Sequence, residues 1–141
     1  MSEKKESTSA KLWGGRFQEK TAASVEEFTA SIHYDSRLYK YDIAGSKAHA
    51  SMLADNGILS KEDLQKIVAG LEEIELEIDN GTFEFRRELE DIHMNIEKAL
   101  VDRIGSPGAK LHSARSRNDQ IALDIKLYLR DECDRLADLL N

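Results

Sequence analysis

SKEDLQKIVAGLEEIELEIDNG, residues 60–81, decides the fold class. Leu64, Ile67, Val68, Leu71, Ile74 and Ile78 recur at helical spacing and leave the charged residues on the opposite side. Ser60-Lys61-Glu62-Asp63 resembles a capping box with Asp in place of Glu, and Asn80-Gly81 is a stop signal. The spacing predicts an amphipathic helix between these marks.

The same period returns on both sides. Residues 23–32 predict a short helix, and Asp35 is read as the N-cap of a longer one ending at Asn56-Gly57. Its stripe is Leu38, Tyr41, Gly45, Ala48 and Met52, whose small central residues let a neighbouring helix approach closely. Beyond the first helix, Phe83 and Phe85 alternate with polar residues as a short extended segment does. Ile92, Ile96, Ala99, Leu100 and Ile104 then restore helical spacing, and Gly105-Ser106-Pro107-Gly108 predicts a loop. From Ser116 to Asn141 nothing breaks the last helix, in which Ile121, Ile125, Tyr128, Leu129, Leu136, Leu139 and Leu140 form a broad stripe supplemented by Leu123 and Leu127. So apolar a helix predicts either continuation in a longer parent protein or packing against partner helices. The expected fold is all-α, with five helices.

With 141 residues, 40% of them apolar and a single proline, the chain can bury one ordinary core. Its net charge of −7 argues against a general binder of phosphate backbones, so no nucleic acid partner is expected. Cys133 is the one cysteine and has no activating neighbour, which points to a reducing, cytoplasmic setting. No apolar run approaches the roughly 20 residues of a bilayer span, and MSEKKESTSA lacks the apolar segment of a signal peptide. No membrane partner is expected, and residues 1–10 are read as a disordered tail.

Three boundary stretches carry polar residues that a plain helical domain does not need: Ala30-Ser31-Ile32, Asp91-Ile92-His93 and Arg115-Ser116-Arg117-Asn118-Asp119. Arg115 and Arg117 stand where a helix begins, an end that already carries partial positive charge. A bound anion, a salt bridge or plain solvation can each resolve that conflict. Ser116 or Asn118 can cap the last helix, Ser31 can close the turn before Asp35, and Asp91 fits an N-cap with His93 bordering the core. Trp13-Gly14-Gly15-Arg16-Phe17 reads either as a hydrophobic latch or, through Arg16, as part of an anion site. His33, His49 and His112 form no metal spacing with His93, and there is no HExxH, CxxC or glycine-rich phosphate loop, so neither metal nor cofactor is expected.

KLWGGRF (residues 11–17), FTASIHYDSRLYKYDIAGSKAHASML (28–53), EDIH (90–93) and GAKLHSARSRNDQ (108–120), in this order, resemble the argininosuccinate lyase family over nearly the whole chain after residue 10. Aspartase, fumarase and adenylosuccinate lyase share the superfamily fold without this opening or the SRNDQ block. The resemblance implies β-elimination of argininosuccinate to arginine and fumarate, in arginine biosynthesis, by a cytoplasmic, cofactor-free homotetramer whose sites are assembled from three subunits. It implies substrate contacts for Ser31 and Asn118, a carboxylate-binding role for Arg117, and places for Arg115 and His93 in the same motifs. It also implies an N-terminal helical domain at residues 11–115 and the start of the first long helix of a central bundle at 116–141. The family's base, a histidine in a Thr-His motif, and its acid, a serine in a Ser-Ser-x-Met-Pro-x-Lys stretch, have no counterpart in residues 1–141, so this chain alone is expected to be catalytically silent. A non-catalytic helical scaffold, like the family's lens crystallins, is the alternative.

Overall fold

The structure, a computed structural model, describes residues 22–140; the KLWGGRF motif with Arg16 and the expected tail at 1–10 lie outside the described residues. Among the described residues every regular element is helical: α1 (Ala23–Thr29), α2 (Ile32–Asp35), α3 (Tyr39–Asp55), α4 (Lys61–Asp79), α5 (Ile92–Ile104), α6 (Ser106–Lys110) and α7 (Arg117–Leu140). Short 3-10 turns at Ser36–Leu38 and Arg87–Leu89 lead into α3 and α5.

The helix at residues 60–81 forms as its pattern dictates. Ser60 Oγ accepts the Asp63 N–H at 3.0 Å, and Ile67, Leu71 and Ile74 are fully buried. They meet Ile43, Ala50 and Leu53 of α3 and Ile92, Ile96 and Leu100 of α5 in one apolar core, so α4 packs between these two helices. Asp91 caps α5 as expected, its Oδ1 accepting the Met94 N–H at 2.6 Å.

Three expectations are corrected. Asp35 does not cap α3; it is the last residue of α2 and is buried, and the chain reaches α3 through the 3-10 turn. The buried face of α3 runs through Asp42, Ile43, Gly45, Ser46, Ala50 and Leu53, while Ala48 and Met52 are exposed. That face mixes apolar and polar residues because α3 touches the core on one side and a polar cluster on the other, which hides its period from a hydrophobicity count. The segment at Gly105–Gly108 is not all loop: Gly105 ends α5 at φ +68°, and Pro107 sits in the first turn of α6, where a missing N–H costs nothing. A Cβ on Gly108 would lie 3.1 Å from the Val101 backbone, so glycine is what lets α6 lie against α5.

Gly45 does bring a helix close, as the small residues of α3 predict: a Cβ there would stand 3.0 Å from Leu123 Cδ2 of α7. The fully buried residues of α7 are nevertheless polar, Gln120 and Asp124. Its apolar side chains Leu129, Leu136, Leu139 and Leu140 are more than half exposed.

Candidate functional site

Ser31 is positioned by an unusual turn in the EDIH motif. Glu90 has φ +65° and ψ −60°, and the Asp91 N–H donates to Leu89 O at 2.7 Å, which makes a γ-turn of the strained, positive-φ kind. Such a residue costs on the order of 1–3 kcal/mol and persists where its surroundings over-determine it. Here the turn aims the Glu90 carbonyl at two donors, the N–H groups of Ser31 and Ile32, at 2.9 and 3.0 Å. Buried Asn95 secures the preceding loop, accepting from Arg86 N and donating to Arg86 O and Asp91 O. Ser31 Oγ donates to Asp35 Oδ2 at 2.5 Å, and Asp35 Oδ1 accepts the Ile92 N–H at 3.2 Å. Burial is the main reason that the Asp35 carboxyl titrates above its usual range, with the Ser31 hydroxyl partly opposing it.

His93 is not at the border of the core but inside it, 2% exposed. Its Nδ1 lies 3.1 Å from Asp42 Oδ1 and 3.4 Å from Asp124 Oδ2, bringing together α5, α3 and α7. Arg115 adds a second cation: its Nη1 donates to Ser46 Oγ at 3.0 Å, and Arg115 Nη2 and Asp124 Oδ1 flank Gly45 together. The Asp42, His93 and Asp124 donor atoms lie within 4.8 Å of one another, a grouping that could hold a metal ion and that no linear spacing reveals. One imidazole faces both carboxylates, and neither Asp124 oxygen has a hydrogen-bond partner among the described residues, so the set is a buried charge cluster with Asp124 left unsatisfied.

The network has a defined pH response. Burial favours neutral Asp124, and the adjacent Asp42 carboxylate adds to this, pushing the Asp124 carboxyl up to about 7. Burial opposes charge on His93, but the hydrogen bond and charge of Asp42, with Asp91 and Asp124, outweigh it and raise its pKa. Burial works against ionised Asp42 too, yet His93 and Gln120 hold its pKa below the usual value. A raised folded pKa contributes stability that is lost as pH rises through it, so Asp124 and His93 both weaken the fold toward alkaline pH, and Asp42 weakens it only in strong acid. Unfolding free energy should therefore decline as pH rises from about 4, the ordinary carboxyl value, through about 7, where folded Asp124 titrates, with His93 adding to the decline above its ordinary range. Asp124→Asn should remove most of that slope in denaturant titrations; an unchanged slope would refute the assignment.

The SARSRND stretch is held from several directions. Ala114 at φ +54° turns the chain so that Arg115 points inward, and Ser116 is the cap of α7: its Oγ accepts the Asn118 N–H, while its own N–H donates to Asp119 Oδ1 at 2.7 Å. Arg117, half-buried at the first position of α7, donates through Nη2 to Glu97 Oε2 at 2.7 Å and through Nη1 to Gln120 Oε1 at 2.6 Å. Gln120 Nε2 in turn donates to Asp42 Oδ1. Asn118 is exposed, and its side-chain amide has no partner among the described residues. The five residues singled out from sequence thus divide: Ser31, Arg117 and Asn118 are partly or fully open to solvent, whereas His93 is sealed inside and Arg115 turns toward Ser46. Sequence reasoning passed over Asp42, Asn95, Gln120 and Asp124, polar residues lying one position from apolar ones in otherwise ordinary helices.

A family profile for lyases matches residues 15–141, and the chain belongs to that lyase family. It is similar to the argininosuccinate lyase of Desulfotalea psychrophila, 67% identical over 136 residues that cover 96% of this chain and 29% of the relative. It is also similar to those of Alkaliphilus metalliredigens, 59% identical over 131 residues (93% and 28%), and Hahella chejuensis, 58% identical over 133 residues (94% and 28%). The chain spans less than a third of the length of these curated relatives.

Proposed function

We propose that this chain is the N-terminal part of an argininosuccinate lyase, which cleaves argininosuccinate to arginine and fumarate in cytoplasmic arginine biosynthesis. The 67% identity to the Desulfotalea psychrophila enzyme carries this reading. In that reaction a proton leaves the carbon beside a carboxylate, the C–N bond breaks, and the guanidinium nitrogen departs with a proton. Negative charge builds on the carboxylate before the bond breaks, so cationic and hydrogen-bonding groups must already be aimed at it. Arg117 has five N–H donors, of which Glu97 and Gln120 take two among the described residues. The rest can meet a substrate carboxylate, with Asn118 and Ser31 as neutral contacts.

Residues 11–115 are then the N-terminal domain, and residues 116–141 begin the first long helix of the central bundle. The exposed leucines of α7 support this, as does their position on a helix anchored to the domain through polar residues. In a homotetramer that face packs against other bundle helices, and the base and acid come from elsewhere in the assembly. Among the described residues no helix is long and apolar enough to cross a membrane.

A chimaera tests the reading. Residues 1–141 replace the matching 136-residue stretch of the Desulfotalea psychrophila enzyme, and fumarate release from argininosuccinate is followed. Turnover within about tenfold of the parent, a loss of under about 1.4 kcal/mol in barrier, is expected. A well-assembled tetramer that binds and turns over nothing would favour the non-catalytic scaffold instead.

A further inference from the structure

We propose that Gln120 is a positioning residue for substrate binding: its buried amide fixes the direction of the Arg117 guanidinium by tying it to Asp42. The proposal rests on the reading of Arg117 as a carboxylate ligand and extends it to a residue that does not itself meet substrate.

Arg117 is a long, flexible side chain at the first position of α7, and its direction depends on what its guanidinium meets. Two acceptors set it, Glu97 Oε2 of α5 on Nη2 and Gln120 Oε1, one turn along α7, on Nη1. A glutamine amide offers an acceptor at one atom and donors at the other, and its orientation here is dictated by its partners: the oxygen faces the guanidinium and the nitrogen faces the Asp42 carboxylate. Gln120 is 5% exposed and Asp42 1% exposed, so water offers the bond between them no substitute. Asp42 is itself held by His93 Nδ1 at 3.1 Å. The guanidinium is therefore referenced through one amide to a junction of α3, α5 and α7. Glutamate at this position would serve Arg117 but would set its carboxylate against that of Asp42. An apolar side chain would serve neither.

That asymmetry supplies the test, run in the chimaeric lyase at a temperature where every variant is fully folded. Gln120→Glu should lower kcat/KM at least about tenfold, because a carboxylate oxygen then faces Asp42 where an amide donor stood. In an Arg117→Ala background Gln120→Glu should have no further effect on kcat/KM. A folded Gln120→Glu enzyme within threefold of its parent, or one that loses the same factor with and without Arg117, would overturn the proposal. A second measurement stands apart from catalysis: NMR of the arginine side chains in the 141-residue chain. Separate, slowly exchanging Nη1 and Nη2 signals are expected for Arg117, merging in Gln120→Leu. Averaged signals in the unaltered chain would overturn the positioning role, whereas held signals together with an Arg117→Ala enzyme of undiminished activity would overturn only the reading of Arg117 as the carboxylate ligand.

Discussion

Arg117→Ala should lower kcat/KM for argininosuccinate by about a hundredfold or more in the complete lyase, the range seen when one preorganised donor is removed from developing negative charge. The loss should fall on kcat as well as KM, because charge on the carboxylate is greater in the transition state than in the bound substrate. Arg117→Lys should recover only part of it. Lysine keeps the charge but offers a single ammonium that cannot face Glu97, Gln120 and a carboxylate at the fixed angles of a guanidinium fork. Steady-state kinetics of the three enzymes decide the matter. A loss within threefold for Arg117→Ala, less than about 1 kcal/mol of barrier, would sink the site assignment.

Asp42→Ala should cost the chain about 3–5 kcal/mol of unfolding free energy, the penalty of breaking a buried ion pair by removing one partner. Asp42 is the acceptor on which the His93 imidazole and the Gln120 amide both converge, and all three side chains are buried. Without it, His93 faces only Asp124, and the Gln120 nitrogen is left without a partner in a region closed to water. Asp42→Asn keeps the shape and one acceptor oxygen, so it should cost clearly less. Chemical denaturation of both variants measures the difference. A change below about 1 kcal/mol for Asp42→Ala would mean that the network contributes little to stability.

The elements that were legible in the sequence are those whose burial is apolar and one-sided. α4 faces a core made of Ile, Leu and Ala, so its period survives as a simple stripe, and the caps at Ser60 and Asp91 act on their own first turns. The sequence leaves the cap of α7 between Ser116 and Asn118, and the structure decides for Ser116, whose Oγ accepts the Asn118 N–H while its own N–H donates to Asp119. α3 was harder, because it buries Asp42 and Ser46 beside Ile43 and Leu53. Hydrophobic periodicity weighs such a polar residue as exposed, and its partners lie 51, 69 or 78 positions away. Asp35 shows the same effect at short range: it stands where a cap is expected, yet its acceptor atoms serve Ser31 and Ile92.

The sequence by itself determined the helical class, the positions of the main helices, the lyase family and the motifs that hold Ser31, His93, Arg115, Arg117 and Asn118. The helices follow from local periodicity and capping chemistry, which act within a few residues along the chain, whereas the family follows from the resemblance of the motifs taken in order. The tertiary structure decided which of those polar residues face outward and which are consumed inside. It turned Arg115 onto Ser46, sealed His93 between two aspartates, and made Gln120 the link between Arg117 and Asp42. A polar side chain carries no local mark of being buried. Its place is set by whether distant elements bring it the complementary donor, acceptor or charge that removal from water demands.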